Sequence, residues 1–273
     1  MRFFIRLLSV STLLFVKTVS GNTVGPIALG MGCTGVALNE VWSVTQNPAG
    51  LRVSNNIEFI ARQMNRYRIG NWNDASLGFS CNGTEKTRLG FILTQEGFSG
   101  YQNTSISAAI GMLNGKKWNS GISATWENSR IRSAEIRSVN QLRSSIGTQL
   151  DLERGHRIGL VLDDAQSFFK TGNDLRNPPT IRTGCQLKAS ETFNATLEIC
   201  INPWITGFNG GLCYCPKETV NIRAGYSTVT KKICAGIGIL WKKWTIESAV
   251  QLHPFLGATT SIGIIYRHER NPN

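Results

Sequence analysis

GPIALGMGCTGVALNEVWSVTQNPAGL, residues 25–51, decides how the rest of the chain is read. It opens with Gly25, Gly30, Gly32 and Gly35 and closes on Asn47-Pro48-Ala49-Gly50-Leu51. Glycine permits positive φ and close approach of neighbouring chains. Pro48 pushes Asn47 out of the helical region. Between these ends, Ala37, Leu38, Val41, Trp42 and Val44 have a short helix-like apolar spacing. The stretch therefore predicts a compact, glycine-hinged segment with a little helix, neither a strand nor a linker. No Gly-Lys-Ser/Thr follows it, which argues against a phosphate-binding loop.

Beyond residue 56 the pattern changes to a period of two. Short alternating runs recur, separated by turn residues, and fourteen candidate strands can be counted between 57 and 267. The clearest is 193–202. It sets Phe193, Ala195, Leu197, Ile199 and Ile201 against Asn194, Thr196, Glu198 and Asn202. The run 219–228 sets Val220, Ile222, Ala224 and Tyr226 against Asn221, Arg223 and Ser227. Alternation alone fits two architectures. In a water-soluble sandwich the polar face is outside. In a lipid-embedded barrel the apolar face is outside and the polar face lines the lumen.

Connection lengths separate the two. Every second connection is short, such as Asn114-Gly115-Lys116, Glu153-Arg154-Gly155 and the single Lys242. The long pieces, 65–73, 96–103, 128–142 and 164–179, all fall in the alternate set. Short turns on one rim and long loops on the other characterise outer-membrane barrels. An even strand count returns the C-terminus to the rim where the barrel begins. Trp118, Trp126, Trp241, Trp244 and Tyr266 fall near strand ends, as interfacial aromatics do, although core packing would place them similarly. The predicted fold is all-β: a transmembrane antiparallel barrel of about fourteen strands. Its predicted divisions are a signal at 1–21, an N-terminal segment at 22–56, the barrel at 57–268 and a polar tail at 269–273.

Composition agrees. Only 17% of the 273 residues are charged, and there are 28 glycines. Arg2 and Arg6 precede a short apolar run, Leu7 to Val16, and small residues follow at 18–21, the arrangement of a cleaved secretory signal. Lys17 interrupts the run and argues against a membrane anchor. The net charge of +12 comes without zinc-finger spacing, a basic helix or RNA-binding aromatics, so nucleic acid is not the expected partner. Anionic lipid headgroups and lipopolysaccharide, or a charged lumen, account for it better. The seven cysteines are an odd number without metal-ligand spacing and read best as small buried apolar residues. No catalytic set, cofactor motif or metal site is apparent, and no enzyme is expected. On the inferred lumen face lie Arg88, Glu127, Arg143, Asp151, Arg182, Lys188, Glu198, Arg223 and Glu247. They form either a charged path for a solute or a balanced, hydrated interior, and the second is the simpler reading.

LGMG-x-x-x-VA followed by NPAGL resembles the N-terminal signature of the FadL/TodX-type outer-membrane transporters, and within them most resembles the PorV/PorQ-like proteins associated with type IX secretion in Bacteroidetes. Gly236-Ile237-Gly238, Trp244-Thr245-Ile246-Glu247 and His253-Pro254-Phe255-Leu256-Gly257 resemble the last hairpins of that superfamily. Cys33, Asn39-Glu40 and the polar end after Tyr266 depart from its usual pattern. The resemblance implies that residues 22–56 form a hatch inside the barrel. It also implies that Gly30, Gly32, Gly35, Asn47, Pro48 and Gly50 serve as gate or hinge positions. It implies transport of small hydrophobic compounds across the outer membrane, or alternatively a scaffold that receives a secretion-system protein. Arg130, Arg132 and Arg137, in the expected loop 128–142, would then face lipopolysaccharide or a partner, or simply solvent.

Overall fold

The computed structural model describes residues 23–52, 54, 56–132, 136–169 and 177–269. The expected signal at 1–21 and all of the expected tail except Glu269 lie outside the described residues.

Fourteen strands close into one antiparallel barrel, each paired with its neighbours in sequence, and the first pairs with the last. They are β1 (Asn56–Asn65), β2 (Asn73–Asn82), β3 (Thr87–Phe98), β4 (Tyr101–Leu113), β5 (Trp118–Arg132), β6 (Ile136–Asp151) and β7 (Arg157–Asp163). The second half comprises β8 (Thr180–Lys188), β9 (Phe193–Ile201), β10 (Thr206–Lys217), β11 (Val220–Ser227), β12 (Lys232–Trp241), β13 (Trp244–His253) and β14 (Gly257–Glu269). Closure removes the free edges of the sheet, so the paired parts of the wall strands satisfy their backbone groups within it; β6 projects past β7, which pairs only with Ser145–Asp151.

Two expected long loops are instead strand. Residues 128–142 are mostly the ends of β5 and β6, which pair from Arg132↔Ile136 down to Trp118↔Leu150. Residues 96–103 are a tight reversal, with Phe98 opposite Tyr101. Alternation weakens here because both faces of the projecting ends are polar, so periodicity gives no signal. The stretches between β1 and β2 and between β7 and β8 do remain long.

The alternation is inside-out. Leu197 is 54% exposed and Ile199 48%, whereas Glu198 between them is 2% exposed. Outward Ile122, Leu160, Leu212, Ile237 and Ile262 repeat the pattern around the wall, as do inward Ser123, Arg182, Arg223 and Glu247. Hydrocarbon, not water, is the solvent that such an exterior suits. On the outer face a row of rings crosses the joint between the first and last strands. Trp244 lies 4.6 Å from Tyr266 between ring centroids. The row continues through Phe59 and Phe79 to Phe91, at spacings of 6.5, 6.5 and 5.9 Å.

A charge placed on the lipid-facing wall tests this assignment. Leu197→Arg, in the middle of β9, should cost about 2–4 kcal/mol, the penalty for an arginine near a bilayer midplane. Urea unfolding from lipid vesicles measures it; a change within about 0.5 kcal/mol, as on a solvated surface, would contradict a lipid-facing wall.

Candidate functional site

Residues 24–51 are almost entirely buried, and their contacts run to inward positions all around the barrel. The segment contains a one-turn helix, α1 (Pro26–Gly30), and two 3₁₀ turns at Val41–Val44 and Pro48–Gly50. Pro26 and Pro48 each open a turn, where the missing N–H costs nothing. Asn47 caps the last turn: its Oδ1 accepts from the Ala49 N–H at 3.1 Å. Most of its backbone has no strand or helix partner, so the wall must supply the hydrogen bonds.

It does so residue by residue. Glu198 Oε2 accepts from the N–H groups of Gly35 and Val36, at 2.8 and 3.0 Å. Gln149 Nε2 donates to the carbonyls of Val36 and Leu38, at 2.9 and 3.1 Å. Asn47 Nδ2 also donates to Val36 O at 2.7 Å. Arg182 Nη2 donates to Gln46 O at 2.5 Å, and Arg157 Nη1 to Ala37 O at 3.0 Å. On the opposite wall Arg62 Nη1 donates to Val24 O at 2.6 Å, and its guanidinium stands 5.1 Å from the centre of the Trp42 ring. Thr34 and Thr196 hydroxyls meet at 2.7 Å.

Close approach depends on missing side chains. Gly90, Gly111, Gly121, Gly147, Gly159, Gly211, Gly225, Gly236 and Gly263 sit on nine different strands, and each faces the segment. A Cβ at Gly211 would lie 2.5 Å from Met31 O, and one at Gly263 2.8 Å from Pro26 Cγ. At Gly121 it would strike the Pro48–Ala49 peptide. Inside the segment, Gly32 adopts φ +71, which brings its backbone against Gly210 and Tyr226.

The inward charges named from the sequence occupy distinct places. Arg182 bridges Asp163 at 2.6 Å and Glu198 at 3.4 Å, directly against the segment. Arg143 joins Glu127 at 3.1 Å and Asp164 at 2.7 Å, on the β5–β7 side. Arg223 pairs with Glu247. Arg88 holds Glu58 at 3.0 Å and Ser54 Oγ at 2.5 Å. Lys188 pairs with Glu191 at the short-turn rim, where it lines a cavity together with Leu38, Asn39 and Glu40 of the segment. Of the residues named as gate positions, Gly30, Gly32, Asn47 and Pro48 abut inner-wall glycines, whereas Gly35 and Gly50 pack within the segment against Gln46 and Ser43.

Sequence reasoning missed Arg62, Gln149, Arg157, Asp163 and the glycine collar. The collar did have a signal: these glycines fall in the polar phase of their strands. Also missed were Ile60, Ile92 and Ile265, apolar residues at inward positions. They form one buried cluster with Val41, Trp42, Val44 and Leu51.

Glu40 stands apart. Both carboxylate oxygens are buried without a hydrogen-bond partner. Burial, then the neighbouring Glu247, pushes its pKa up to about 8, against the opposing pull of Arg223 and Arg267 and with Glu58 adding repulsion. The folded chain thus keeps a proton that the unfolded chain releases near 4.5. Stability from this group therefore declines as pH rises from about 4.5 to about 8. Protease cleavage within residues 25–51, in detergent, should be faster at pH 9 than at pH 5, and Glu40→Gln should flatten that difference. An unchanged pH profile in the variant would remove Glu40 as its origin. Separately, Gly121→Val should expel the segment locally and raise cleavage at both pH values.

No protein-family model and no curated protein matches the sequence. Solved structures do match. The CymD monoaromatic hydrocarbon channel superposes with a TM-score of 0.68 at 12% identity, covering 91% of this chain and 98% of its own. The toluene transporter TodX of Pseudomonas putida gives 0.66 at 11% identity, covering 91% and 98%. The toluene transporter TbuX of Ralstonia pickettii gives 0.65 at 11%, covering 91% and 99%. At this identity the likeness establishes the architecture: the chain has the fourteen-strand barrel fold of the FadL/TodX-type channels.

Proposed function

We propose that this chain is an outer-membrane barrel that carries small hydrophobic compounds, with residues 22–56 as its hatch. Residues 1–21 serve as the export signal in this reading. The observation that carries it is the placement of apolar surface on both sides of one part of the wall. Inside, Ile60, Ile92, Ile265 and Trp42 cluster on the β1, β3 and β14 side. Outside these strands and the adjoining β2 and β13, Phe59, Leu77, Phe79, Phe91, Trp244 and Ile264 line a groove of about 510 Å³. Gly78 lies between them with no side chain of its own, and a Cβ there would meet Ile92 at 2.9 Å. An apolar solute finds matching surface there, whereas the Ser105, Ser107, Ser123 and Thr125 side of the interior offers hydroxyls and the charges of Glu127 and Arg143. Similarity to hydrocarbon channels over 91% of the chain supports the same cargo class.

Gly30, Gly32, Gly35, Asn47, Pro48 and Gly50 act here as hinge and docking positions, not ligand contacts. Arg182 and Glu198 bond the hatch directly and Arg88 bonds Ser54 near its end; Glu127, Arg143, Arg223 and Glu247 line the lumen as wall ion pairs, and Lys188 belongs to the rim. Lipopolysaccharide would meet the projecting ends of β5 and β6.

A second reading rests on how closely the hatch is packed. The glycine collar leaves the segment flush with the wall. This favours a static barrel of the PorV/PorQ type that receives a secretion-system protein. Flux of a monoaromatic hydrocarbon into vesicles with a lipopolysaccharide outer leaflet separates the two. The transport reading expects flux above protein-free vesicles, changed severalfold by deleting residues 25–51. No flux from either form, with recovery of a secretion component on the tagged barrel from solubilised membranes, would favour the scaffold.

A further inference from the structure

Cys33 and Cys234 sit where the N-terminal segment touches β12. Cys33 is a non-glycine residue at φ +67, directly after Gly32 at φ +71. An L-residue in this region costs roughly 1–2 kcal/mol, which glycine would avoid. Cys234 points inward and is buried, on the strand next to Gly225, whose open face receives Gly32. Gln251 Nε2 lies 2.9 Å from Cys33 Sγ and 3.5 Å from Cys234 Sγ. One amide nitrogen thus touches both sulfurs, and the Gly32 N–H points at the Cys234 sulfur as well. Gln251 Oε1 is taken by Lys232 at 3.4 Å, which fixes the amide between them.

We propose that Cys33 and Cys234 form a disulfide that fastens the N-terminal segment to the barrel wall. The bond would form by two exchanges with a disulfide oxidant. One cysteine thiolate attacks the oxidant and displaces one of its thiols. The second cysteine then attacks that mixed disulfide and releases the other thiol. The chain gives up two protons and two electrons, and the oxidant takes them to become a dithiol, or two thiols. Burial pushes the Cys33 thiol up to about 12, so the docked segment holds little of the thiolate that exchange requires. The bond therefore belongs to assembly, before the segment is sealed in, and once made it is screened from reductants. It closes a loop of about 200 residues, the long-loop case in which a cross-link restricts the unfolded chain most. Cys213 and Cys215, with sulfurs 3.8 Å apart, are neighbours on one strand and would fasten nothing to anything else.

The proposal concerns the chain's own geometry and holds whether or not the barrel transports. The full chain from residue 22 is refolded into detergent with oxidised glutathione, trapped with N-ethylmaleimide, and digested without reductant. The expected result is a linked Cys33–Cys234 peptide as the main form, absent from Cys33→Ser and Cys234→Ser. Reductant applied under mild denaturant should speed protease cleavage of residues 25–51 roughly tenfold or more in the unmodified chain, and not in Cys33→Ser. Alkylated Cys33 and Cys234 in a barrel that has folded, judged by heat-dependent gel mobility, would overturn the proposal, as would either cysteine linked elsewhere.

Discussion

A cylinder of fourteen strands is too wide for its own side chains to fill, and that single constraint shapes everything inside it. The filler is an irregular segment whose backbone polar groups cannot go unpaired. The wall answers with two devices. At nine inward positions it omits the side chain, so that backbone meets backbone. At others, notably Glu198, Gln149, Arg182, Arg157 and Arg62, it extends a polar group to one particular N–H or carbonyl.

The buried ions belong to the same arrangement. Burying an ion pair seldom adds much stability, because desolvation offsets the attraction, but breaking one leaves an uncompensated charge. Arg182 is held by Asp163 and Glu198 while it donates to Gln46 O. Its partners aim it. A guanidinium anchored at several points tolerates one position of the segment and penalises others. Among the described residues Glu40 is the buried carboxyl with neither oxygen hydrogen-bonded, so the seating of the segment should respond to proton concentration.

Much of the wall was legible because lipid and lumen enforce strict alternation. Strand β9 could be read residue by residue, and Glu198 and Arg223 were placed on the inner face by phase alone. The ends of β5 and β6 were read as loop because, beyond the hydrocarbon zone, nothing forces one face to be apolar. The apolar inner cluster was hidden for the opposite reason. The alternation put Phe59 and Ala61 on one face and Leu89, Phe91 and Leu93 on one face, but Ile60 and Ile92 fall in the opposite phase, where polar residues were expected. Which wall residue bonds which carbonyl of the N-terminal segment was beyond reach, since such contacts join positions far apart in sequence, as between Gln149 and Val36.

The ring-lined joint between β1 and β14 has a consequence for the order of events. Every other wall pairing links neighbours in sequence and can zip as hairpins; this one unites the two ends of the barrel. Pairings so distant form late, because loop-closure entropy opposes them. The amino-terminal stretch, which connects directly into β1, must be enclosed while that gap still stands open. A curled sheet wrapping around its own leading segment, with Phe59 and Tyr266 meeting last, is therefore the sequence of assembly that the topology favours.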